Sequence, residues 1–330
     1  MDENKEKLTD AYGRKMEYLR ISLTDKCNLR CQYCMPKEGI MPLSHAEVLT
    51  LEEIRRVAAV LTELGIRKIR VTGGEPLVRR NAMELIRQLT AFPAKPEVVI
   101  TTNGVLLSEH LNELKKTGVQ RINISLDTLN RDTYQRLTGT DALEKVLHSI
   151  DTALSMGFTV KLNVVPIRGI NDGEIEALAE MARDKDLTVR FIELMPMGCA
   201  KGLSGIPGDE LVERLEKIYG TAEPAEDTLW SGPARYVQFP QFKGQVGFIN
   251  PLSHQFCKEC NRLRLTVDGK LKLCLFYPDG PDVKRLLRSG CTDEELKEEI
   301  TKAVLRKPEK HAFVPGKAAA EEKNMVQIGG

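Results

Sequence analysis

Short runs of β-branched and apolar residues alternate with segments of helical periodicity through the first two-thirds of the 330-residue chain. The apolar runs lie near residues 18–24, 67–72, 97–102, 120–126, 159–165 and 187–193. The helical segments lie near residues 50–64, 81–91, 108–116, 129–137, 141–156 and 171–184. Strands joined by helical crossovers form a parallel sheet, and six such units are fewer than the eight of a closed TIM barrel. We therefore predict an α/β fold built on a partial (β/α)6 TIM-like barrel with one open side.

After about residue 195 the pattern changes, because a Gly/Pro-rich stretch interrupts the alternation. Further helical segments and short β runs follow near residues 208–219, 235–239, 245–249, 281–289 and 292–306. Between them, RLRLTVDGKLKLCL has an Asp-Gly pair between two alternating segments, which is typical of a β-hairpin. We predict a barrel domain over residues 1–195 and a C-terminal α+β extension over residues 196–330.

One face of each predicted barrel strand is apolar and the other is polar, since residues two apart in a strand share a face. On five of the six strands the polar face carries basic side chains, namely Arg20, Lys68, Arg70, Arg121, Lys161 and Arg190. The apolar faces must pack against the helices, so these cations would line the barrel interior. Unpaired buried charge is costly, so we expect an anionic ligand or acidic partners inside the barrel. The alternative is an open sheet on which these side chains are solvated.

The cysteines indicate metal rather than disulfides. The N-terminal segment MDENKEKLTDAYGRK lacks the apolar run of a signal peptide, and no apolar stretch is long enough to span a membrane. We therefore expect a cytoplasmic protein, whose thiols stay reduced. Six of the eight cysteines form two triads: Cys27, Cys31, Cys34 and Cys257, Cys260, Cys274.

The first triad has the spacing C-x3-C-x2-C and follows the first predicted strand. Three thiolates can hold three irons of a 4Fe–4S cluster, which leaves the fourth iron open to a reactant. A three-thiolate zinc site is the alternative, but structural zinc takes four ligands and the nearest histidine, His45, is eleven residues on.

In the second triad, Cys257 and Cys260 are close in sequence, and the predicted hairpin can bring Cys274 back to them. Two interpretations stay open at this point. The triad holds a second cluster with an open iron, or Cys291 supplies a fourth thiolate and closes a zinc site or a fully ligated cluster.

These motifs resemble a known superfamily. CNLRCQYC is similar to the signature of the radical S-adenosylmethionine (radical SAM) enzymes, and Thr72-Gly73-Gly74-Glu75-Pro76 resembles their GGEP motif. The resemblance implies that the open iron binds the amino and carboxylate groups of S-adenosylmethionine, which one electron cleaves to methionine and a 5′-deoxyadenosyl radical. We expect the two adjacent glycines to let the backbone approach the methionyl end closely.

A narrower resemblance runs nearly end to end, to the radical SAM family that acts first in molybdenum cofactor biosynthesis. Its features are GRKMEYLRISLTDKCNLRCQYCMP, IRVTGGEPLVR, TTNG, RINISLDTL, KLNVV, RFIELMPMG, CKECNRLRLTVDGKLKLCL and the terminal IGG. The resemblance implies a lyase that abstracts the ribose 3′-hydrogen of GTP, after which the carbon radical attacks guanine C8. A reductant protein such as flavodoxin or ferredoxin and a downstream cyclic pyranopterin monophosphate synthase are the implied partners. Whether the enzyme is a homodimer is left open.

The resemblance also implies roles for individual residues. The two triads would hold two 4Fe–4S clusters, and the second would bind guanine through its open iron. The residues that would contact S-adenosylmethionine are Tyr33, Gly74, Ser125 and Met195. Those that would contact GTP are Arg20, Arg70, Thr101, Lys161, Arg262, Leu263 and Arg264, with Lys68 and Arg190 as helpers. A tail of Gly329 and Gly330 would reach into the active site.

Some assignments stay open. Strand parity does not decide between Thr101 and Thr102 for the inward position, and Cys199, Cys291 and His254 are taken as structural. A radical SAM peptide-maturing enzyme is a second hypothesis, although such enzymes have no need of a phosphate-matched cationic interior. A zinc-stabilised RNA-binding module is a third, but a net charge of +1 and 5% aromatic residues argue against it.

Overall fold

The computed structural model describes residues 8–225, 232–278, 280–314 and 320–329. Six parallel strands form the barrel: β1 (Tyr18–Ser22), β2 (Lys68–Thr72), β3 (Glu97–Thr102), β4 (Arg121–Ser125), β5 (Thr159–Val164) and β6 (Thr188–Ile192). The helices between them are α1 (Leu51–Glu63), α2 (Ala82–Thr90), α3 (Leu107–Thr117), α4 (Arg131–Thr138), α5 (Leu143–Ser155) and α6 (Ile175–Asp184). Every predicted barrel strand and helix is present, and the partial barrel is confirmed.

The C-terminal extension contributes α7 (Gly208–Tyr219), β7 (Glu223–Ala225), β8 (Arg235–Gln238), β9 (Gln245–Ile249), β10 (Arg262–Leu265), β11 (Leu271–Lys272), α8 (Val283–Arg288), α9 (Asp293–Leu305) and α10 (Met325–Ile328). β10 and β11 form the predicted antiparallel hairpin. The extension joins the barrel sheet at both edges, because β10 pairs parallel with β1 and β9 pairs parallel with β6.

The resulting sheet of the described residues has the order β11-β10-β1-β2-β3-β4-β5-β6-β9-β8-β7 and does not close, since β11 and β7 are its two edges. The domain boundary at residue 195 stays a prediction, since the two segments share this sheet. The open side of the barrel therefore lies between β11 and β7, two strands of the extension.

The core lies between the sheet and the outer helices, as the parity of the strands predicts. Leu19 and Ile21 of β1 are fully buried in it, as is Ile69 of β2, and all three point away from the barrel interior. Each helix presents its apolar stripe to the same core. α1, for example, begins with a capping box in which the Thr50 hydroxyl accepts from the Glu53 N–H and the Glu53 carboxylate accepts from the Thr50 N–H. None of the described helices is long and apolar enough to cross a membrane.

Candidate active site

A cavity of about 320 Å³ opens at the carboxyl ends of the barrel strands and is enclosed by the extension. Parallel barrels place ligands at this end of the strands. The cavity wall includes most of the predicted site residues, namely Arg20, Cys27, Cys31, Tyr33, Cys34, Arg70, Gly74, Thr101, Ser125, Met195, Cys257, Cys260, Arg262, Arg264 and Cys274. Residues far apart in the sequence, including both cysteine triads, therefore meet around one chamber.

Two predicted GTP contacts lie outside the cavity wall. The Leu263 side chain is fully buried in the outer core, because β10 alternates faces and points Arg262 and Arg264 inward. The Lys161 ammonium donates to the Tyr236 hydroxyl at 3.2 Å and lies 4.8 Å from that ring's centre. The structure thus leaves Leu263 only its backbone for a ligand, and it ties Lys161 to β8.

The first triad follows β1 in a tight turn, in which the Cys34 N–H donates to the Cys31 carbonyl at 2.9 Å. The Asn103 side-chain amide lies 3.7 Å from the Cys27 sulfur. Burial raises the pKa of all three thiols, to about 12 for Cys34, and the Asp127 carboxylate adds to the effect at Cys31 and Cys34. The triad therefore keeps its protons until a metal displaces them.

The paired glycines of the second loop pack closely against a neighbouring loop. A Cβ on Gly73 would lie 2.7 Å from the Thr24 carbonyl oxygen, and one on Gly74 would lie 2.3 Å from that of Lys26. The Gly74 N–H donates to the Thr24 carbonyl, and the Glu75 N–H donates to the Lys26 carbonyl. The glycines are thus required by close packing against the loop that leads to the first triad, and our expectation that they serve a ligand's approach is not needed to explain them.

Glu75 resolves the ambiguity between Thr101 and Thr102. Its fully buried carboxylate accepts from the Thr102 hydroxyl at 2.8 Å and from the Asn103 N–H at 2.7 Å. Burial outweighs these bonds and raises the pKa of Glu75 to about 7. Thr101 is in register with Asn123 of β4, whose side-chain amide lies 3.5 Å from the Thr101 hydroxyl. Thr101 therefore faces the barrel interior.

Asp127 is a site residue that was not predicted from the sequence. It holds the ring of Tyr33, the predicted S-adenosylmethionine contact. The Tyr33 hydroxyl donates to the Asp127 carboxylate at 2.7 Å, and the same carboxylate accepts from the Val165 N–H at 2.8 Å. Burial raises the pKa of Asp127 to about 6. The available signal was its place two residues after Ser125, in the same SLDTL motif.

The second triad has a different electrostatic environment. Cys257 and Cys260 lie in one short turn after β9, and Cys274 follows β11. Burial alone would raise the pKa of the Cys260 thiol, but the nearby charges of Arg262 and Lys307 outweigh it and lower the pKa to about 6. The Arg262 guanidinium also lies 3.5 Å from the Cys260 sulfur. Both triads thus face the same chamber, but the first lies near the acidic Asp127 and the second near the basic Arg262 and Lys307.

Cys291 does not join the second triad. It packs against the outer core, and its backbone carbonyl accepts from the Arg56 guanidinium of α1. Across the part of the chain that the structure describes, no three His, Cys, Asp or Glu side chains converge on a single-ion site. A cubane cluster needs no such convergence, because each thiolate binds a different iron. The residues therefore fit a cluster that has three protein ligands at each triad.

The interior cations divide into two groups. At the amino ends of the strands, the Glu97 carboxylate pairs with Lys68 at 3.0 Å and with Arg121 at 3.3 Å. Nearer the triads, the Nε atoms of Arg20 and Arg70 are buried without a hydrogen-bond partner. Glu97 is therefore the acidic partner that the sequence predicts for some of the interior cations. Arg20 and Arg70 retain donors that could bind an anionic ligand.

Three further arginines complete this charged wall. Arg190 donates to the side-chain oxygens of Asn123 at 2.5 Å and Asn163 at 2.7 Å, yet its Nε atom is buried without a partner. Burial, with the neighbouring Arg262 charge, lowers the pKa of Arg264 to about 10. Such mutual repulsion persists in a folded chain when a bound anion offsets it.

The C-terminal segment enters this region. The Gly329 carbonyl accepts from the Arg264 guanidinium at 3.1 Å, and a Cβ on Gly329 would lie 2.7 Å from that of Ser22. The segment is held to the β10–β11 hairpin by an ion pair between Lys272 and Glu321, both buried. Gly330 lies outside the described residues. The described part of the tail therefore reaches the arginine wall.

Two family descriptions match consecutive parts of the chain. The Radical SAM superfamily matches residues 21–182, and Molybdenum Cofactor Synthesis C matches residues 187–313. The first covers β2 to β5 and the first triad, and the second covers β6 and the second triad.

Curated proteins match over nearly the whole length. The chain is 42% identical over 323 residues to GTP 3′,8-cyclase of Clostridium perfringens, covering 98% of this chain and 100% of that one. It is 46% identical over 336 residues to GTP 3′,8-cyclase of Peptoclostridium acidaminophilum, covering 99% and 100%. The similarity to GTP 3′,8-cyclases of two organisms thus includes both triads.

Solved structures share the fold at low sequence identity. SuiB of Streptococcus suis bound to the precursor peptide SuiA has a TM-score of 0.61 at 15% identity, over 90% of this chain and 66% of that one. SuiB bound to S-adenosylmethionine has a TM-score of 0.61 at 14% identity, over 96% and 78%. This likeness concerns architecture alone.

Proposed function

The chain belongs to the GTP 3′,8-cyclase family of radical SAM enzymes, and we propose that it converts GTP to (8S)-3′,8-cyclo-7,8-dihydroguanosine 5′-triphosphate in molybdenum cofactor biosynthesis. It uses S-adenosylmethionine and an iron–sulfur cluster, as its superfamily does. The observation that carries the proposal is one chamber whose wall includes both cysteine triads and arginines with unused donors. A nucleoside triphosphate fits this charge pattern, because its phosphates would pair with the arginines and its base would lie at one triad.

We assign GTP to the side of the second triad. Arg20, Arg70 and Arg264 would bind the triphosphate, because they line the cavity and are close enough to repel one another. The second triad would hold a second 4Fe–4S cluster whose open iron binds guanine. Thr101 would lie beside the nucleotide, since it shares the inward face of the sheet.

We assign S-adenosylmethionine to the first triad, with Tyr33, Gly74, Ser125 and Met195 as its contacts. The cluster held by Cys27, Cys31 and Cys34 would supply one-electron reduction of S-adenosylmethionine, and with it the abstraction of the 3′-hydrogen of GTP. The protein's part is to position and to shield. Asp127 fixes the Tyr33 ring through its hydroxyl, and Gly329 of the tail packs against Ser22 and would exclude water there.

Two partners complete the proposal. A flavodoxin or ferredoxin would deliver the electron, since amino-acid side chains do not supply low-potential electrons. A cyclic pyranopterin monophosphate synthase would consume the cyclised triphosphate.

The hydrogen transfer gives a direct test of the function. With GTP carrying deuterium at the ribose 3′ position, we expect the released 5′-deoxyadenosine to contain deuterium, because the adenosyl radical takes that atom. Mass spectrometry of the nucleoside after anaerobic turnover measures it. GTP deuterated at the 2′ position is the control and should transfer none. Unlabelled 5′-deoxyadenosine from the 3′ substrate would contradict the assignment.

The number of clusters is tested separately. We expect about eight irons and eight sulfides per chain in anaerobically reconstituted protein, since each triad would hold one four-iron cluster. Replacing the cysteines of either triad with serine should leave about four. Cys291→Ser should keep about eight, because that cysteine lies away from the cavity. A parent protein with four irons, or with zinc, would rule out two clusters.

A further inference from the structure

Two buried cations hold the second triad from behind, on the side away from the cavity. Lys307, just after α9, and Arg14, near the N-terminus, are 3% and 8% exposed. Their donors reach the backbone of all three segments that carry the triad. Neither residue lines the cavity, so a contact with substrate does not explain them.

Lys307 links two of these segments. Its ammonium donates to the Arg262 carbonyl at 3.0 Å, two residues after Cys260, and to the Leu273 carbonyl, immediately before Cys274. One side chain thus fixes the spacing of two cysteines that are distant in sequence.

Arg14 fixes the third segment. Its Nη1 donates to the Cys257 carbonyl at 2.7 Å and to the Glu309 carbonyl at 2.8 Å, and its Nη2 donates to the Pro308 carbonyl at 2.7 Å. Its Nε donates to the Asp10 carboxylate at 2.5 Å, so the charge of Arg14 is balanced by a buried acid.

The charge of Lys307 is not balanced in this way. In the described residues its ammonium bonds only to backbone carbonyls, and the charged side chains that act on it include the cationic Arg14 and Arg262. The groups that would oppose it are the sulfur atoms of Cys260 and Cys274, which carry negative charge once they bind metal. A buried cation without an acid is unfavourable unless an anion accompanies it, and three thiolates on a cluster supply that anion.

We propose that Lys307 is a positioning residue of the second cluster, whose buried charge sets the cluster's reduction potential, whereas Arg14 fixes the backbone only. The inference rests on the second cluster of the proposed function. A positive charge beside a cluster favours the reduced, more negative form, so its loss makes reduction harder. The charge of Arg14 is offset by Asp10, so removing both charges together should not have this effect.

The experiment uses the full chain with Cys27, Cys31 and Cys34 replaced by serine, so that only the second cluster is measured. Lys307→Met keeps the length of the side chain and removes its charge. We expect it to hold iron about tenfold less tightly and to give a more negative midpoint potential in an EPR-monitored titration. Lys307→Arg should return the potential toward that of the parent. Arg14→Met combined with Asp10→Asn removes a neutral pair and should lose iron with an unchanged potential.

A surface lysine is the matched control. Lys284→Met removes an exposed ammonium of the same extension, one that donates to the Glu47 carbonyl, and should change neither quantity. A parent with a second cluster whose potential is the same in Lys307→Met overturns the inference, as does a Lys307→Arg variant no different from Lys307→Met. A parent without a second cluster overturns the proposed function instead.

Discussion

Gly329→Ala is expected to lower kcat/KM for GTP by about a hundredfold while both triads keep their iron. The backbone of Gly329 has φ +87°, in the left-handed region that disfavours a side chain, and the new methyl group would lie 2.7 Å from Cβ of Ser22. The tail must move away, and its carbonyl must leave the Arg264 guanidinium. A displacement of about 1 Å near reacting groups can cost about a hundredfold in rate. Steady-state kinetics and iron analysis of the same sample measure both effects.

Two further variants separate crowding from backbone strain. Gly118→Ala is the matched control, because Gly118 has nearly the same φ of +86° but nothing within 4 Å of its added Cβ. It should cost stability and leave kcat/KM unchanged. Ser22→Gly combined with Gly329→Ala removes the atom that the methyl group meets and should restore part of the rate. Full activity in Gly329→Ala alone would mean that the tail does not enclose the site.

Local sequence patterns were enough to predict the strands and helices of the barrel. Strand parity placed Arg20 and Arg70 on the inward face, and the structure has both there with unused donors. An acidic partner was also expected from strand parity, but Glu97 could not be identified as that partner. It is the first residue of β3, and its alignment with Lys68 depends on the strand register, which the sequence does not show. The pairing of β10 with β1 and of β9 with β6 was not foreseen, since pattern analysis finds strands but not neighbours distant in the chain.

The residues that sequence analysis missed act through other residues. Asp127 fixes Tyr33 by a hydrogen bond, and Lys307 fixes two cysteine segments through their carbonyls. Neither belongs to a spacing that chemistry requires, because a tyrosine hydroxyl or a backbone carbonyl can be reached from any part of the chain. Leu263 shows the reverse error, since a residue between two functional arginines need not share their face.

Arg70→Met is expected to weaken GTP binding and to stabilise the ligand-free protein. A hydrogen bond to a charged group contributes about 1.5–3 kcal/mol, so the dissociation constant should rise about 10- to 100-fold. In the ligand-free state Arg70 repels Arg20 and Arg190, and its Nε atom has no partner. Removing that charge relieves repulsion between neighbours and should raise the melting temperature.

Arg121→Met should differ from Arg70→Met on both measures, because Arg121 pairs with Glu97 at the far end of the strands. Removing Arg121 takes one of two cationic partners from the Glu97 carboxylate, so this variant should melt at a lower temperature and bind GTP as the parent does. Calorimetry of iron-loaded protein with and without GTP measures both quantities. A variant that has a higher melting temperature without GTP and a higher dissociation constant for GTP has lost a charge that serves substrate binding rather than stability. If both variants lost stability and kept GTP affinity, the arginines would be structural and the triphosphate would bind elsewhere.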